Sequence, residues 1–341
     1  MKFIKNCDEP FIIAEVGQNH QGDVEIAKKF INQFAKAGAD AIKFQTRDLD
    51  SLFSKDALNR EYDNPNSFGE TYGEHRRKLE LSLLELKALK KECDLNNVLF
   101  MSTPFDEESL ENLCKLDVKA IKVASFDIGN IPFLEKIAKK NILTFMSIGG
   151  GNSKQISSSV RVFEKYNTQL VILHCVSEYP CEYNKLGLNN ITKLKDDFPS
   201  HIIGLSDHFN GILSGPIGYT KGARVFEKHV TLNRSWKGTD HNFALELDGF
   251  RKFVRDIKRV RHMYDVKDDG SLGNEPVFKK LGKSVVARKD INKNELLTVD
   301  NLSGKIFKNI VIPVRDVESI IGKKVKNHIR EGHTINYDDC Y

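Results

Sequence analysis

Eight short β-rich runs, spaced by helical sequence, constrain the fold of this chain more than any other feature. They are FIIAEVG (11–17), AIKFQT (41–46), LFMSTPF (99–105), AIKVAS (120–125), ILTFMSIG (142–149), LVILHCVS (170–177), IIGLSDH (202–208) and RVFEKHVT (224–231). Between the first two, residues 23–38 place Ile26, Phe30, Ile31 and Phe34 on one helical face, and Gly38 supplies a stop. Residues 78–94 and 106–117 have the same periodicity. Strands alternating with helices imply parallel strands joined by right-handed crossovers. Eight such units over about 230 residues favour a closed (β/α)8 barrel of α/β class over an open doubly wound sheet.

Polar residues gather at the C-terminal ends of these runs: Glu15, Lys43, Gln45, Thr103, Lys122, Ser125, Ser147, His174, Ser177, Ser206, His208 and His229. In a (β/α)8 barrel those ends converge on one mouth, where the chemistry of such barrels sits. Two neighbouring late strands finish in an imidazole. Histidines buried and satisfied by backbone bonds are the bland reading. Strand-terminal His208 and His229 favour instead a divalent ion with open positions for substrate: manganese, zinc, cobalt or iron by ligand type.

Lys43 and Lys122 share the pattern AIK at the ends of two strands. A buried lysine must be paired or neutralised. Two of them beside Thr103, Ser125, Ser147 and Ser206 point to a phosphate or carboxylate, the alternative being pairing with Glu15 or Asp127. Those two carboxylates are the candidate acid and base, or simply salt-bridge partners. IGGGN (148–152) lacks the lysine of a phosphate loop and reads as a turn. His174 and Cys175 are strand neighbours pointing to opposite faces, so they form no dyad. His20 falls in the loop after the first strand.

The connection 47–77 is too long for a crossover and predicts a lid or rim over the mouth. The barrel is expected over 1–265, a polar Gly- and Pro-containing linker over 266–280, and a small β-rich domain over 281–341. With 52 basic and 47 acidic residues dispersed along 341, a formal charge of +5 gives no basic block for nucleic acid or a membrane surface. Six cysteines without a CxxC pair suit reduced thiols in a cytoplasmic protein. Neither a signal-peptide core nor a membrane-length apolar run is evident.

The chain resembles the sialic acid synthase family through IAEVGQNHQGD, AGADAIKFQT, STPFD, IKVAS, LHCVSEYP, IGLSDH, GARVFEKHVTL and GTDHNFALE. KSVVARKDINKNELLTVDNL is similar to the antifreeze-like (SAF) domain of that family. The resemblance implies a (β/α)8 barrel whose SAF domain reaches over the partner's site in a domain-swapped homodimer. It implies condensation of phosphoenolpyruvate with an N-acylated hexosamine to a nonulosonic acid. By the same resemblance His208 and His229 match ligands of a divalent metal, usually Mn2+. Lys43, Thr103, Lys122, Ser125, Ser147 and Ser206 match the phosphoenolpyruvate site, Glu15 a catalytic carboxylate, and Gln45, Asn66, Tyr179 and Asp240 the sugar site.

Three positions depart from the family pattern. Asp127 stands where a glutamate is usual, Ile148 where a hydroxyl is usual, and Ile306 where an SAF-domain arginine reaches the sugar's acyl group. An alkyl chain does not replace a bidentate donor. A related synthase or aldolase on another aldose, or a non-catalytic sugar- or metal-binding paralogue, are therefore the alternatives.

Overall fold

In the computed structural model, which describes residues 9–268, 273 and 275–341, all eight runs are strands. They are β1 (Phe11–Gly17), β2 (Ala41–Thr46), β3 (Leu99–Pro104), β4 (Ala120–Val123), β5 (Leu143–Ser147), β6 (Leu170–Cys175), β7 (Ile202–Asp207) and β8 (Val225–His229). Each pairs in parallel with the next, and β8 pairs with β1, so the barrel closes.

The period-two alternation of each strand divides its side chains between two cores. Phe11, Ile13, Met101, Phe145, Leu173 and Val225 belong to one apolar cluster that fills the barrel. Ile12, Ala14, Val16, Ile42, Ile172 and Phe226 belong to a second, shared with the surrounding helices. Two residues beyond the inner plug, the same inward parity carries Glu15 after Ile13, Lys43 after Ala41, Ser147 after Phe145 and Glu227 after Val225. Register sets them side by side: Glu15 opposes Lys43 on one flank and His229 on the other, and Ser206 opposes Glu227.

The connection 47–77 is ordered into three helices, Leu49–Leu52, Lys55–Asn59 and Tyr72–Leu79. Side chains of Asp48, Ser54 and Thr71 cap their N-termini, and Glu74 returns the bond to Thr71 in a capping box. The single helix expected over 78–94 is broken in two. One helix ends at Leu79, and a second capping box, Ser82 with Glu85, starts Leu83–Leu95. Periodicity continued across that break because both pieces bury leucines: Leu79 in the first, Leu86 and Leu89 in the second.

Residues 265–341 form a second compact unit. Here β9 (Lys283–Ala287) pairs antiparallel with β10 (Leu302–Ile306). Val285, Ile291, Leu297, Ile312, Ile320 and Val325 make its core. The expected linker 266–280 runs into a helix, Pro276–Leu281, while 269–272 and 274 lie outside the described residues. Among the described residues no helix is long and apolar enough to cross a membrane.

Candidate active site

The C-terminal ends of the strands line a cavity of about 570 Å³. At its floor two buried lysines share one carboxylate: Glu227 Oε1 lies 3.5 Å from Lys43 Nζ and 3.7 Å from Lys122 Nζ. Lys43 also sits 2.9 Å from Glu15 Oε2 and donates to Thr103 Oγ1 at 3.2 Å. Gln45 Nε2 holds the other Glu15 oxygen at 2.8 Å, and Ser206 Oγ donates to Glu227 at 3.1 Å.

These groups do not titrate alike. Burial alone would depress the Lys43 ammonium, but Glu15 and Glu227 together hold it above the usual lysine range. Burial pulls Lys122 below that range, with Lys43 adding to the effect and Glu227 only partly offsetting it. Burial raises Glu15 despite Lys43, whereas Glu227 stays low because Lys122 and Lys43 outweigh its burial. Two carboxylates in one cavity are thereby pushed apart, Glu15 toward the protonated form and Glu227 toward the ionised one. Arrangements of this kind serve proton transfer.

Ser147 Oγ and Glu227 Oε2 are buried without a hydrogen-bond partner among the described residues. Buried polar atoms are ordinarily satisfied, so these are positions for a ligand to complete. Ser125 Oγ accepts from Gly149 N at 3.1 Å and donates to Cys175 Sγ at 3.6 Å.

The two imidazoles meet at the mouth with ring centroids 5.4 Å apart. His208 Nδ1 is 2.7 Å from Val176 O. A carbonyl only accepts, so Nδ1 is the donor and Nε2 is the nitrogen turned to the cavity. His229 Nδ1 has no hydrogen-bond partner among the described residues, and burial pushes this imidazole down to about 4, leaving it neutral near pH 7. Tyr179 packs 4.0 Å from the His208 ring, and Asp240 Oδ2 stands 3.9 Å from His229 Nδ1. Two imidazoles, each with a ring nitrogen left over from the protein's own hydrogen bonds, fit a divalent ion. Among the described residues no set of three or more His, Cys, Asp or Glu side chains converges on one point, so an ion here would complete its sphere with substrate and water oxygens.

The strand ends bearing both histidines are tied together on the outer face. Asp207 Oδ2 accepts from Lys228 Nζ at 2.6 Å and from Ser214 Oγ at 2.5 Å, and Lys228 also reaches Phe209 O. Both members of the pair are buried. They orient the turn that carries His208 and do not enter the cavity.

Of the residues singled out from sequence, Glu15, Lys43, Gln45, Thr103, Lys122, Ser125, Ser147, Tyr179, Ser206, His208, His229 and Asp240 all line the cavity. Asp127 does not. It closes a 3-10 turn over Ser125–Asp127 and accepts from Asn130 Nδ2 at 2.9 Å, its buried carboxyl held above the usual range. Asn66 is not in the lining either: its Oδ1 accepts from Gly238 N at 3.1 Å and ties the 47–77 segment to the loop after β8. His174 faces outward, with Nε2 2.7 Å from Leu186 O, while its neighbour Cys175 lines the cavity; the opposition of strand neighbours holds. Ile148 is buried beside another pocket, and Ile306 is exposed on β10.

Glu227 was not among the residues picked from sequence. Its signal was present, because it precedes His229 by two on one strand and so shares its face. Arg47, Gln18 and Arg76 were missed for another reason: they come from loops and the 47–77 segment, where no periodicity tells which side chains turn inward.

A closed barrel with acids, bases and imidazoles at its strand ends defines a (β/α)8 enzyme. The chain belongs to the NeuB family, whose model matches residues 30–269, and it carries a SAF domain over residues 282–339. It is 36% identical over 326 residues to the N-acetylneuraminate-9-phosphate synthase of Homo sapiens, covering 95% of this chain and 91% of that protein. It is 35% identical to the N,N'-diacetyllegionaminic acid synthase of Campylobacter jejuni, covering 95% and 98%. The crystal structure of the N-acetylneuraminic acid synthetase of Leptospira borgpetersenii superposes with a TM-score of 0.68 at 31% identity, covering 78% of this chain and 90% of that one. The chain is an enzyme of this acid-synthase class.

Proposed function

We propose that the protein condenses phosphoenolpyruvate with the open-chain aldehyde of an N-acylated hexosamine, giving a nonulosonic acid and inorganic phosphate. The observation that carries this reading is the juxtaposition at one mouth of Lys43 and Lys122, sharing Glu227, with the imidazoles of His208 and His229. Both lysines are buried and share one carboxylate, and an entering trianion gives each a further counter-charge. Thr103, Ser125, Ser147 and Ser206 supply hydroxyls to phosphate and carboxylate oxygens. Gln45, Tyr179 and Asp240 flank the sugar, and Asn66 holds the rim above it.

His208 and His229 would hold a divalent ion, manganese being the expected one, which when bound would supply Lewis-acid polarisation of the aldehyde. In the reaction C3 of phosphoenolpyruvate forms the new bond to the aldehyde carbon, whose oxygen becomes a hydroxyl by taking up a proton. Water adds to the cationic C2 and loses a proton. The C2–O bond to phosphate then breaks as the C2 hydroxyl gives up its proton to the departing phosphate, leaving the ketone. Glu15, with its raised affinity for protons, is placed to give or take one beside Lys43. Ionised Glu227 holds both ammonium groups in place for the phosphate. Lysine attraction accelerates the reaction only insofar as it strengthens as charge gathers on the departing phosphate.

A homodimer with exchanged SAF domains and a cytoplasmic location belong to the same proposal. Its test is phosphate release from phosphoenolpyruvate with Mn2+, screened against N-acetylmannosamine, diacetamido-sugar precursors and simple aldoses. Sugar-dependent release supports it; no release from folded, metal-loaded protein with any acceptor overturns it.

A further inference from the structure

IGGGN (148–152) joins β5 to the helix Ser153–Lys165 and borders a second cavity, of about 770 Å³. The other walls are the end of β6 at 174–176 and the helix Asn190–Asp197. Cys175 lines both this cavity and the mouth, but none of the groups assigned above to phosphoenolpyruvate, sugar or metal lines it. The two cavities share a wall: Ile148 follows Ser147 in the chain, and Val176 O holds His208 Nδ1.

The helix Ser153–Lys165 turns its N-terminus to this space. Asn152 Oδ1 accepts from Gln155 N at 3.0 Å and Gln155 Oε1 accepts from Asn152 N at 2.9 Å, closing a capping box. The amides of Gly150, Ser153 and Lys154 bond to nothing among the described residues. Gly150 turns at a φ of 76° into open space. IGGGN has no lysine of its own, but one comes from the opposite wall. Lys193 lines the cavity and has no carboxylate at ion-pair distance among the described residues; Asp197, one helical turn further on, lines it as well.

His174, on β6, points to a ligand independently. It is 5% exposed and lines the cavity, with Nε2 2.7 Å from Leu186 O. A carbonyl only accepts, so Nε2 is the donor and Nδ1 is the nitrogen left over. Nδ1 has no partner among the described residues. Burial holds the imidazole below its ordinary range, so Nδ1 stays an acceptor near pH 7. A buried acceptor is ordinarily satisfied, and here only an occupant of the cavity can satisfy it.

These groups ask for three things of one molecule. Free amides at a glycine turn and helix N-terminus, with a lysine facing them, suit the several oxygens of a phosphate. His174 Nδ1 and the Asp197 carboxylate accept from hydroxyl or amino groups. Ile156, Leu194 and Phe198 offer an apolar face to a flat ring. Inorganic phosphate answers the first demand alone, and a sugar phosphate the first two. We propose that this cavity is a second ligand site that takes a nucleoside monophosphate, its phosphate on the amides at 150–154 and on Lys193.

The test is calorimetric titration of the full, metal-loaded chain with the four common ribonucleoside 5′-monophosphates, their nucleosides, ribose 5-phosphate and inorganic phosphate. At least one nucleotide is expected to bind roughly 10-fold or more tightly than its nucleoside, ribose 5-phosphate or inorganic phosphate. Lys193→Ala should raise its Kd by about 10-fold or more, and Lys193→Arg should keep most of the affinity. Ser153→Asp sets a carboxylate where the phosphate sits yet suits a helix N-terminus, so it should abolish binding without lowering Tm. Affinity unchanged in Lys193→Ala and Ser153→Asp would place the nucleotide elsewhere and overturn the inference. Ribose 5-phosphate or inorganic phosphate binding as tightly as the best nucleotide overturns it too, as does the absence of binding by all four. The condensation is judged by its own phosphate-release assay and stands or falls apart from these results.

Discussion

Glu15 and Lys43 stand opposite each other on β1 and β2 with carboxylate and ammonium 2.9 Å apart, and both are buried. The pair is not closed on itself, since Lys43 also reaches Glu227 and Glu15 also accepts from Gln45. Glu15 can therefore change protonation without leaving the lysine unpaired. In Glu15→Gln the ammonium keeps Glu227, so the fold is retained while kcat falls by roughly 10²- to 10⁴-fold. Steady-state rates beside a far-ultraviolet spectrum check this, and a rate near wild type would remove Glu15 from the chemistry.

Glu227 and Asp127 give a contrasting pair. Glu227 links both lysines inside the cavity, whereas Asp127 is turned back on Asn130 outside its lining. Glu227→Gln is expected to lower kcat/KM by about 100-fold or more and Asp127→Asn by less than about threefold. Equal effects in the two variants would contradict the placement.

The two imidazoles predict dependence on a metal without dependence of the fold on it, because the barrel interior is filled by an apolar cluster of its own. Chelation should abolish turnover, and added Mn2+ should restore it. His229→Ala should resist restoration while melting close to the wild type. Full turnover in chelator would remove the ion from the reaction.

Lys228 and Asp207 are expected to matter for stability. Lys228→Met strands a buried carboxylate and should cost about 3–5 kcal/mol. Adding Asp207→Asn should recover part of that loss, since the charge left behind is then gone. Urea unfolding of the two single variants and the double variant measures the coupling; additive losses would mean the pair acts independently.

Acid should weaken the fold well above the carboxylate range. Burial holds His20 and His229 at about 4, below their ordinary 6.5. Between those values the unfolded chain takes up a proton at each that the folded chain refuses. The stability they contribute is thus complete above 6.5 and is lost as pH falls through about 4. Each adds a slope of at most about 1.4 kcal/mol per pH unit. Unfolding free energies at pH 7, 6 and 5 should show this decline, and His20→Gln should flatten it; a slope unaltered in that variant would assign the decline to other groups.

The barrel was legible because strands buried on both faces are continuous apolar runs, and each run ended in a polar residue at a constant phase. Local sequence thereby determined eight strands, their helical partners, the mouth and ten of its side chains, from Glu15 to His229, while Tyr179 and Asp240, on loops, came only from the resemblance to the family. Tertiary structure decided what no local pattern contains. Closure of β8 on β1 sets His229 beside Glu15, two positions more than two hundred residues apart. The turn after β4 swings Asp127 away from a cavity that its neighbour Ser125 still lines. The short helices of the 47–77 segment turn Arg76 toward that cavity. Strand parity is a property of a few consecutive residues and survives in the sequence. The direction of a loop side chain depends on caps, ion pairs and packing made by residues far away along the chain, and only the folded molecule brings those together.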